Sequence, residues 1–250
     1  MSLHHNPRIV TDGLVLALDA ANPKSYPGSG TTWYDMTVNN EDATLVNTPT
    51  LLNENRGVMF FDRTTYERAN SFSTDTYFIE NQSWTVSTFI NVLSDAHAGN
   101  GNSGIFCNQK YFTETPAPGP GGFGLAITSS NRYCGMLTHD DGAGNRSSWQ
   151  NLAFMQIDYG NWEHITYVYD SIGATKYMYG YRNGVLVKTS SSTSYKWSTT
   201  SRTSYICANT QGGWGDHYDT KMSNLFVYNR ALTSAEIKQN FNATRGRFGI

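Results

Sequence analysis

Residues 177–189 read YMYGYRNGVLVKT, in which two runs rich in tyrosine and valine flank the dipeptide Asn183-Gly184. Aromatic and β-branched residues favour extended strands, and Asn-Gly tolerates the positive φ angles that a type I′ turn requires. The stretch therefore predicts a β-hairpin with strands over Tyr177–Tyr181 and Val185–Thr189. A hairpin of this kind is typical of antiparallel, all-β folds.

The same pattern recurs along the chain, as short apolar or aromatic runs bounded by Gly, Pro, Asn or Asp. The other predicted strands are Leu14–Leu18, Val58–Phe61, Trp84–Val92, Ile105–Asn108, Phe123–Thr128, Tyr133–Leu137, Leu152–Gln156, Trp162–Tyr169, Tyr205–Ala208 and Leu225–Tyr228. So many short strands predict a sandwich or a barrel. One helix is predicted near the end, because Thr233 and Glu236 have the spacing of a capping box, and it should extend to about Phe241.

Composition favours a folded protein with few charges and many aromatic side chains. Of 250 residues, 38% are hydrophobic and 15% are charged, against about 25% charged residues in an average protein. The formal net charge of −2 gives no positive field for a phosphate backbone. No apolar run approaches the roughly 18 residues of a membrane-spanning helix. Neither nucleic acid nor a membrane is therefore an expected partner.

The cysteines and the amino terminus bear on the compartment. Cys107, Cys134 and Cys207 are widely spaced and lie in apolar or aromatic runs, which favours three buried thiols over a disulfide plus one free thiol. The first residues contain no apolar segment of roughly 7–15 residues, so no secretory signal is predicted. Assembly in a reducing cytoplasm is expected.

The chain is predicted to form one domain, residues 13–244, with an amino-terminal arm, residues 1–12, and a carboxyl-terminal tail, residues 245–250. No internal repeat or composition shift divides it. Because function on β-sandwiches usually lies in loops or on a sheet face, the longest irregular stretches are the places to search for a site. These stretches are Ser94–Ser103, Thr113–Gly122, His139–Ser148 and Asn209–Asp219.

The common signatures of catalysis are absent from the sequence, which has no phosphate-binding loop, no zinc-binding His-Glu-x-x-His and no nucleophile elbow. Retaining glycosidases need two carboxyl groups about 5–5.5 Å apart. None of the seven Glu residues has an acidic partner on the same predicted strand. A non-enzymatic protein is therefore predicted, and a glycoside hydrolase ranks third, behind the two non-enzymatic functions given below. His164 lies in an alternating strand and is predicted to be a hydrogen-bonded core histidine rather than a general base.

Several segments resemble the concanavalin A-like (laminin G-like, pentraxin-like) jelly-roll superfamily, in particular the single-domain copies in marine tailed-phage virion proteins. The matching segments are Gly13–Asp35, Phe60-Phe61-Asp62 with Tyr66, Trp84–Ile90, Trp162–Asp170, Asn183-Gly184, Leu225–Ile237 and Asn240–Ile250. Arg63 replaces a usual Gly, and the Glu-x-Asp-x-x-Glu strand of the superfamily's glycosidases is missing. The resemblance implies an all-β sandwich of two antiparallel sheets, one of them curved, with a short carboxyl-terminal helix.

The resemblance implies a non-enzymatic phage virion structural protein: a capsid decoration, fibre or tail-associated module on the virion surface, assembled in the host cytoplasm. Expected partners are other virion proteins and further copies of the chain. Both ends are predicted to dock on neighbours, with Arg245, Arg247 and Phe248 contacting a partner's carboxylates and apolar pocket. A disordered tail is the alternative.

The alternative function is a carbohydrate-binding adhesin that recognises host-surface glycans. Trp214 lies between glycines beside polar residues, and aromatic faces with nearby polar groups suit sugars. The predicted glycan contacts, from two loops expected to face each other, are Trp214, Asp216, His217, Tyr218, Asp140, Asp141 and Trp149. A second candidate is the tyrosine stripe of Tyr177, Tyr179 and Tyr181, for which a packed or interface stripe is favoured over a stacking platform for sugars.

Calcium is the one cofactor considered, because laminin G-like and pentraxin-like relatives often hold it with Asp and Asn oxygens at a loop rim. It requires six to eight oxygen ligands. The predicted ligands are Asp62, Asp216 and Asp219. Aspartates that form turns or caps are the alternative explanation for each of them.

Overall fold

The computed structural model describes residues 8–73, 76–94, 102–108, 122–140, 146–198, 203–208 and 217–250, with the backbone alone at residues 73, 140 and 146–149. In this part of the chain the strands are β1 (Leu14–Asp19), β2 (Thr32–Trp33), β3 (Ala43–Val46), β4 (Thr50–Leu52), β5 (Val58–Phe61), β6 (Arg68–Ser73), β7 (Trp84–Val92), β8 (Ser103–Cys107), β9 (Gly122–Ile127), β10 (Arg132–Asp140), β11 (Arg146–Gln156), β12 (Glu163–Asp170), β13 (Lys176–Arg182), β14 (Val185–Ser192), β15 (Thr203–Ile206) and β16 (Thr220–Tyr228). Helix α1 is Ser234–Thr244, and a 3-10 turn, Arg245–Arg247, follows it.

The strands form two antiparallel sheets, which confirms the predicted sandwich. Sheet 1 has the order β14-β13-β12-β7-β16-β5-β4, with β1 also paired to β16, and sheet 2 has the order β11-β10-β9-β8-β15-β6-β3-β2. The inner faces of the two sheets enclose the main core. Helix α1 covers the outer face of sheet 1, where Ile237 and Phe241 are buried. None of the helices among the described residues combines the length and apolar character needed to cross a membrane.

All twelve predicted strands are present, and β5 and β7 have the predicted bounds. Strand β11 begins at Arg146, well before the predicted Leu152, because the polar segment between them pairs with β10. Strands β2, β3, β4 and β6 were not predicted, since each is short or polar and becomes extended through pairing with a neighbour. The central parts of the four predicted loops lie outside the described residues.

Two local predictions are confirmed in detail. In the β13–β14 hairpin, Asn183 and Gly184 have φ angles of 50° and 75°, as a type I′ turn requires. At α1, the Thr233 hydroxyl accepts from the Glu236 amide at 3.3 Å, and the Thr233 amide donates to Glu236 Oε2 at 2.8 Å. The helix continues three residues beyond Phe241, to Thr244. Capping by a side chain close in sequence explains why its start was predictable.

The three cysteines are buried and form no disulfide, as the sequence predicts. Burial raises the pKa of Cys134 to about 12 and raises the pKa of Cys207 further. Both thiols are therefore protonated at neutral pH. Buried, protonated thiols behave as small apolar side chains, so these residues contribute packing rather than reactivity.

The carboxyl-terminal tail packs on its own domain, which corrects the prediction that it contacts a partner. Arg247 Nη1 lies 3.0 Å from both carboxylate oxygens of Asp19, and Nη2 donates to Ser223 Oγ at 2.6 Å. Phe248 stacks on Phe89 with ring centroids 4.5 Å apart and contacts Trp162 at 4.6 Å. The outer face of sheet 1 thus supplies both the carboxylate and the apolar pocket that the prediction assigned to a neighbour.

Arg245 and the amino-terminal arm are also held within the chain. The Arg245 guanidinium lies over the Phe241 ring at 5.6 Å. In the arm, the Val10 amide donates to Asn240 Oδ1 at 2.8 Å, and the Tyr228 hydroxyl donates to the Val10 carbonyl at 3.0 Å. Residues 1–7 of the predicted arm lie outside the described residues.

Candidate functional site

The described residues at the ends of the two loops that the sequence places face to face lie at opposite ends of sheet 2. In sheet 2, Thr138 pairs with Gly122, and Trp149 pairs with Thr138, so Asp140 and Trp149 lie at the end where β9 begins. The opposite end is marked by Glu67, which precedes β6. His217 lies there, with Nδ1 3.3 Å from the Glu67 carbonyl oxygen.

The strands that carry Asp140 and follow Glu67, β10 and β6, are also far apart across sheet 2. Strands β9, β8 and β15 lie between β10 and β6, which gives about 19 Å at the usual strand spacing of about 4.8 Å. The prediction that Asp140 and Trp149 face the His217 loop is therefore wrong. Antiparallel pairing across sheet 2 sets this separation, and it is invisible in the spacing of the residues along the chain.

The remaining predicted glycan contacts are either buried or outside the described residues. His217 and Tyr218 are 4% and 1% exposed, so neither side chain lines an open rim. His217 packs edge-to-face on Tyr66 at 5.4 Å, and burial lowers its pKa. Tyr218 thus belongs to the main core, and His217 is buried beside Tyr66 and the Glu67 backbone. Trp214, Asp216 and Asp141 lie outside the described residues, so their roles stay predictions.

Two of the predicted calcium ligands do come together. The Arg63 amide donates to Asp219 Oδ1 at 3.0 Å, and the Ser94 hydroxyl donates to Asp219 Oδ2 at 3.0 Å. Asp62, next to Arg63, accepts from the Thr64 amide at 2.7 Å and from its hydroxyl at 2.6 Å. These bonds from Thr64 hold the pKa of Asp62 below its usual value.

Asp62 therefore forms a turn with Thr64, the alternative considered for it, whereas Asp219 accepts from two groups that are distant in sequence. Within the described ranges, no group of three or more His, Cys, Asp or Glu side chains is arranged to hold a metal ion. The third predicted ligand, Asp216, lies outside those ranges. Arg63 remains 41% exposed beside this pair, so the Glu67 end presents a charged, hydrogen-bonding edge, defined here as the Asp62–Arg63–Asp219 edge.

A carboxylate pair that the sequence search missed lies across the β11–β12 turn. Arg182 Nη2 is 2.8 Å from Glu163 Oε1 and 3.3 Å from Asp158 Oδ2. The Tyr133 hydroxyl donates to Glu163 Oε2 at 2.8 Å. Burial raises the pKa of Glu163, while Tyr133 and Arg182 act in the opposite direction. Asp158 and Glu163 flank a turn, so their proximity does not follow from residue spacing along any single strand.

This pair does not have the properties of a glycosidase centre. The Glu163 side chain is 1% exposed, so no substrate reaches it, and the Arg182 guanidinium lies between the two carboxylates. An acid and base pair must instead flank the bond to be broken. The geometry indicates a structural ion pair that joins the turn to β13.

His164 is a core residue, as predicted. It is 2% exposed, its Nε2 lies 2.9 Å from Ser87 Oγ, and its ring packs on Phe89 at 4.7 Å. Burial lowers its pKa to about 3. The imidazole is therefore neutral at physiological pH and almost completely shielded from solvent.

The tyrosine stripe divides into a packed part and a surface part. Tyr181 is 4% exposed, and its hydroxyl lies 3.0 Å from Ser234 Oγ under the start of α1. Tyr177 and Tyr179 are only half-buried, and their rings are nearly parallel, with centroids 5.8 Å apart. The packed alternative thus holds for Tyr181, and the other two rings remain at the surface.

A family model described as the concanavalin A-like lectin/glucanases superfamily, of laminin G type, matches residues 62–238, which is more than half of the chain. The chain belongs to the concanavalin A-like superfamily. No curated protein sequence matches this concanavalin A-like domain.

Solved structures share the concanavalin A-like fold at low sequence identity. The binding domain of Paraclostridial Mosquitocidal Protein 1 is 12% identical, with a TM-score of 0.68 over 92% of this chain and 52% of that chain. Botulinum neurotoxin type C, whose cell entry depends on interaction with two ganglioside molecules, is 15% identical, with a TM-score of 0.65 over 93% and 51%. Trypanosoma rangeli sialidase is 16% identical, with a TM-score of 0.61 over 96% and 34%. The domain thus spans about half, or less, of each.

Proposed function

We propose that this concanavalin A-like domain is a non-catalytic carbohydrate-binding module. The observation that carries the proposal is the Asp62–Arg63–Asp219 edge, where hydrogen bonds hold the two carboxylates in place. The Arg63 side chain is 41% exposed there, and its Nε lies 3.8 Å from Asp219 Oδ2. Preorganised polar groups of this kind fix the orientation of a polar ligand such as a sugar. The ganglioside interaction of botulinum neurotoxin type C, which shares the fold, also supports the proposal.

The loop leading to this edge completes the proposed site. Residues 209–216 connect β15 to Asp219 and contain Trp214 and Asp216, so an aromatic side chain and a further carboxylate belong to the same connection. We place the glycan contacts there, with a calcium ion coordinated by Asp62, Asp216 and Asp219 as an additional part of the site. The ion would supply positive charge for sugar hydroxyls without any catalytic step.

A glycan array tests this function, read in calcium and again in EDTA. Wild-type protein is expected to retain at least one glycan, and Trp214→Ala and Arg63→Ala are each expected to weaken retention about tenfold or more, as central interface contacts do. Arg132→Ala is the matched control, because Arg132 is an exposed arginine at the start of β10, where its side chain bonds Gln156. Loss of binding in EDTA would assign calcium to the site.

Two results would count against the proposal. One is an array on which wild-type protein retains no glycan in either buffer. The other is retention that Trp214→Ala and Arg63→Ala leave unchanged while the melting temperatures of all variants agree with wild type.

A second candidate function is assembly on a virion surface, in line with the resemblance to phage proteins. One observation favours it: β14 is an edge strand of sheet 1, and its residues Val185, Leu186 and Val187 are 62%, 45% and 43% exposed. Consecutive exposed apolar residues on a sheet edge suit contact with another protein. Sedimentation of wild type and Leu186→Lys tests this, and a wild-type protein that is monomeric at high concentration would exclude self-association.

A further inference from the structure

A second candidate ligand surface lies on the outer face of sheet 1, at the corner formed by β12, β13 and β14. Strand pairing places Asp170, Tyr177 and Ser191 opposite one another in one row, and Val168, Tyr179 and Thr189 in the next. Directly paired residues of antiparallel strands share a face. Two tyrosines are therefore flanked on one side by a carboxylate and on the other by two hydroxyl groups.

The two aromatic rings pack against neighbouring side chains, and no described residue bonds their hydroxyl groups. Tyr179 packs against the cluster that contains Val168 and Tyr181, and the Tyr177 ring lies parallel to it within 10°, with centroids 5.8 Å apart. Among the described residues, neither hydroxyl of this pair has a hydrogen-bond partner. The two nearly parallel, half-buried rings are defined here as the Tyr177–Tyr179 platform.

The groups around the platform have unused hydrogen-bonding capacity. Thr189 and Ser191 are exposed on the edge strand β14. Asp170 uses Oδ1 for the Ile172 amide at 3.0 Å and for the Ser83 hydroxyl at 3.5 Å, and no described group donates to its Oδ2. Burial raises the pKa of Tyr179, and the Asp170 carboxylate adds to this, as expected for a carboxylate close to the ring.

We propose that the Tyr177–Tyr179 platform binds an extended oligosaccharide, with two consecutive pyranose rings lying on the two tyrosines. The inference rests on the proposed carbohydrate-binding function but places a contact surface away from the Asp62–Arg63–Asp219 edge. The C–H face of a pyranose covers an aromatic ring, and Asp170, Ser191 and Thr189 bond its hydroxyls. Rings that are already ordered bind at low entropic cost. A chain of sugars, rather than a single sugar, matches two parallel rings.

Binding of the retained array glycans, together with cellohexaose, xylohexaose and chitohexaose, tests the platform in isothermal calorimetry. The Tyr177→Ala/Tyr179→Ala variant is expected to bind at least one hexasaccharide or array glycan about tenfold more weakly than wild type. Tyr177→Phe/Tyr179→Phe keeps both rings and is expected to stay within about threefold of wild type. Tyr34→Ala is the matched control, because Tyr34 is 42% exposed and lies in the segment after β2.

The platform and the proposed function fail in different ways. If Trp214→Ala abolishes glycan binding and Tyr177→Ala/Tyr179→Ala leaves it intact, the platform is overturned and the proposed function stands. A wild-type protein that binds no glycan overturns both. If the double alanine variant is unfolded, Thr189→Lys replaces it, since an exposed lysine blocks the surface without changing the core; unchanged binding by this variant also overturns the platform.

Discussion

His164 makes the stability of this domain depend on pH. Its folded-state pKa is about 3, below its ordinary value of 6.5, because the ring is buried between Ser87, Phe89 and Phe241. The unfolded chain therefore binds a proton before the folded chain does. The contribution of neutral His164 is complete above about pH 6.5 and is lost progressively as the pH falls toward about 3.

Replacing His164 with Phe is expected to remove this dependence. Urea unfolding of both proteins at several pH values should show wild type losing up to about 1.4 kcal/mol per pH unit relative to the variant below about pH 6. The stability of His164→Phe near neutral pH should stay close to that of wild type. The Ser87 hydroxyl loses His164 as a partner but keeps its hydrogen bond with Thr166 Oγ1, 2.8 Å away. Parallel stability curves for the two proteins would contradict the burial argument.

At the scale of elements, Gly184 connects the β13–β14 hairpin to helix α1. Its φ angle is 75°, and a Cβ placed on it would lie 3.2 Å from the Cβ of Phe241 and 3.3 Å from the Cα of Lys238. Gly184→Ala is expected to lower the free energy of unfolding by about 2–3 kcal/mol, through the positive φ and the crowding of the helix together.

Gly173→Ala is the matched control for Gly184→Ala. Gly173 also has a positive φ, 84°, but a Cβ there meets nothing within 4 Å. Gly173→Ala should lower the free energy of unfolding by only about 1–2 kcal/mol, because only the backbone conformation is unfavourable there. Equal losses in the two variants, measured by urea unfolding, would show that the hairpin and the helix do not press on each other.

At the scale of the whole molecule, the two sheets interlock at Gly135 and Tyr167. Gly135 lies in β10 of sheet 2, and a Cβ there would overlap the ring of Tyr167 from β12 of sheet 1. Gly135→Ala is therefore expected to destabilise the protein by about 3 kcal/mol or more. Tyr167→Leu removes the ring and costs about 2–4 kcal/mol by itself, yet it should rescue much of the Gly135→Ala loss in the double variant.

Tyr167→Phe separates the ring from its hydroxyl. The Tyr167 hydroxyl is buried without a hydrogen-bond partner, so its removal should cost little. Tyr167→Phe should also fail to restore the stability lost in Gly135→Ala, because the aromatic ring remains. A double-mutant cycle by urea unfolding measures both couplings, and additive losses for Gly135→Ala and Tyr167→Leu would contradict the interlocked packing.

Much of the fold was predictable because its signals are local. The turn at Asn183-Gly184 and the capping box of Thr233 and Glu236 depend on residues next to each other in sequence, and both formed as predicted. Burial of His164 followed from the alternation of its strand. By contrast, Asp140 and His217 were expected on facing loops, and pairing across several strands put them at opposite ends.

The sequence by itself determined the class of fold, the main strands, the helix start and the burial of the three thiols. These depend on alternation, turn chemistry and composition, which are properties of contiguous residues. Only the tertiary structure decided that Arg247 pairs with Asp19, that Arg182 joins Asp158 to Glu163, and which tyrosines remain at the surface. Such contacts join residues distant in the chain, and antiparallel pairing with packing between the sheets selects them.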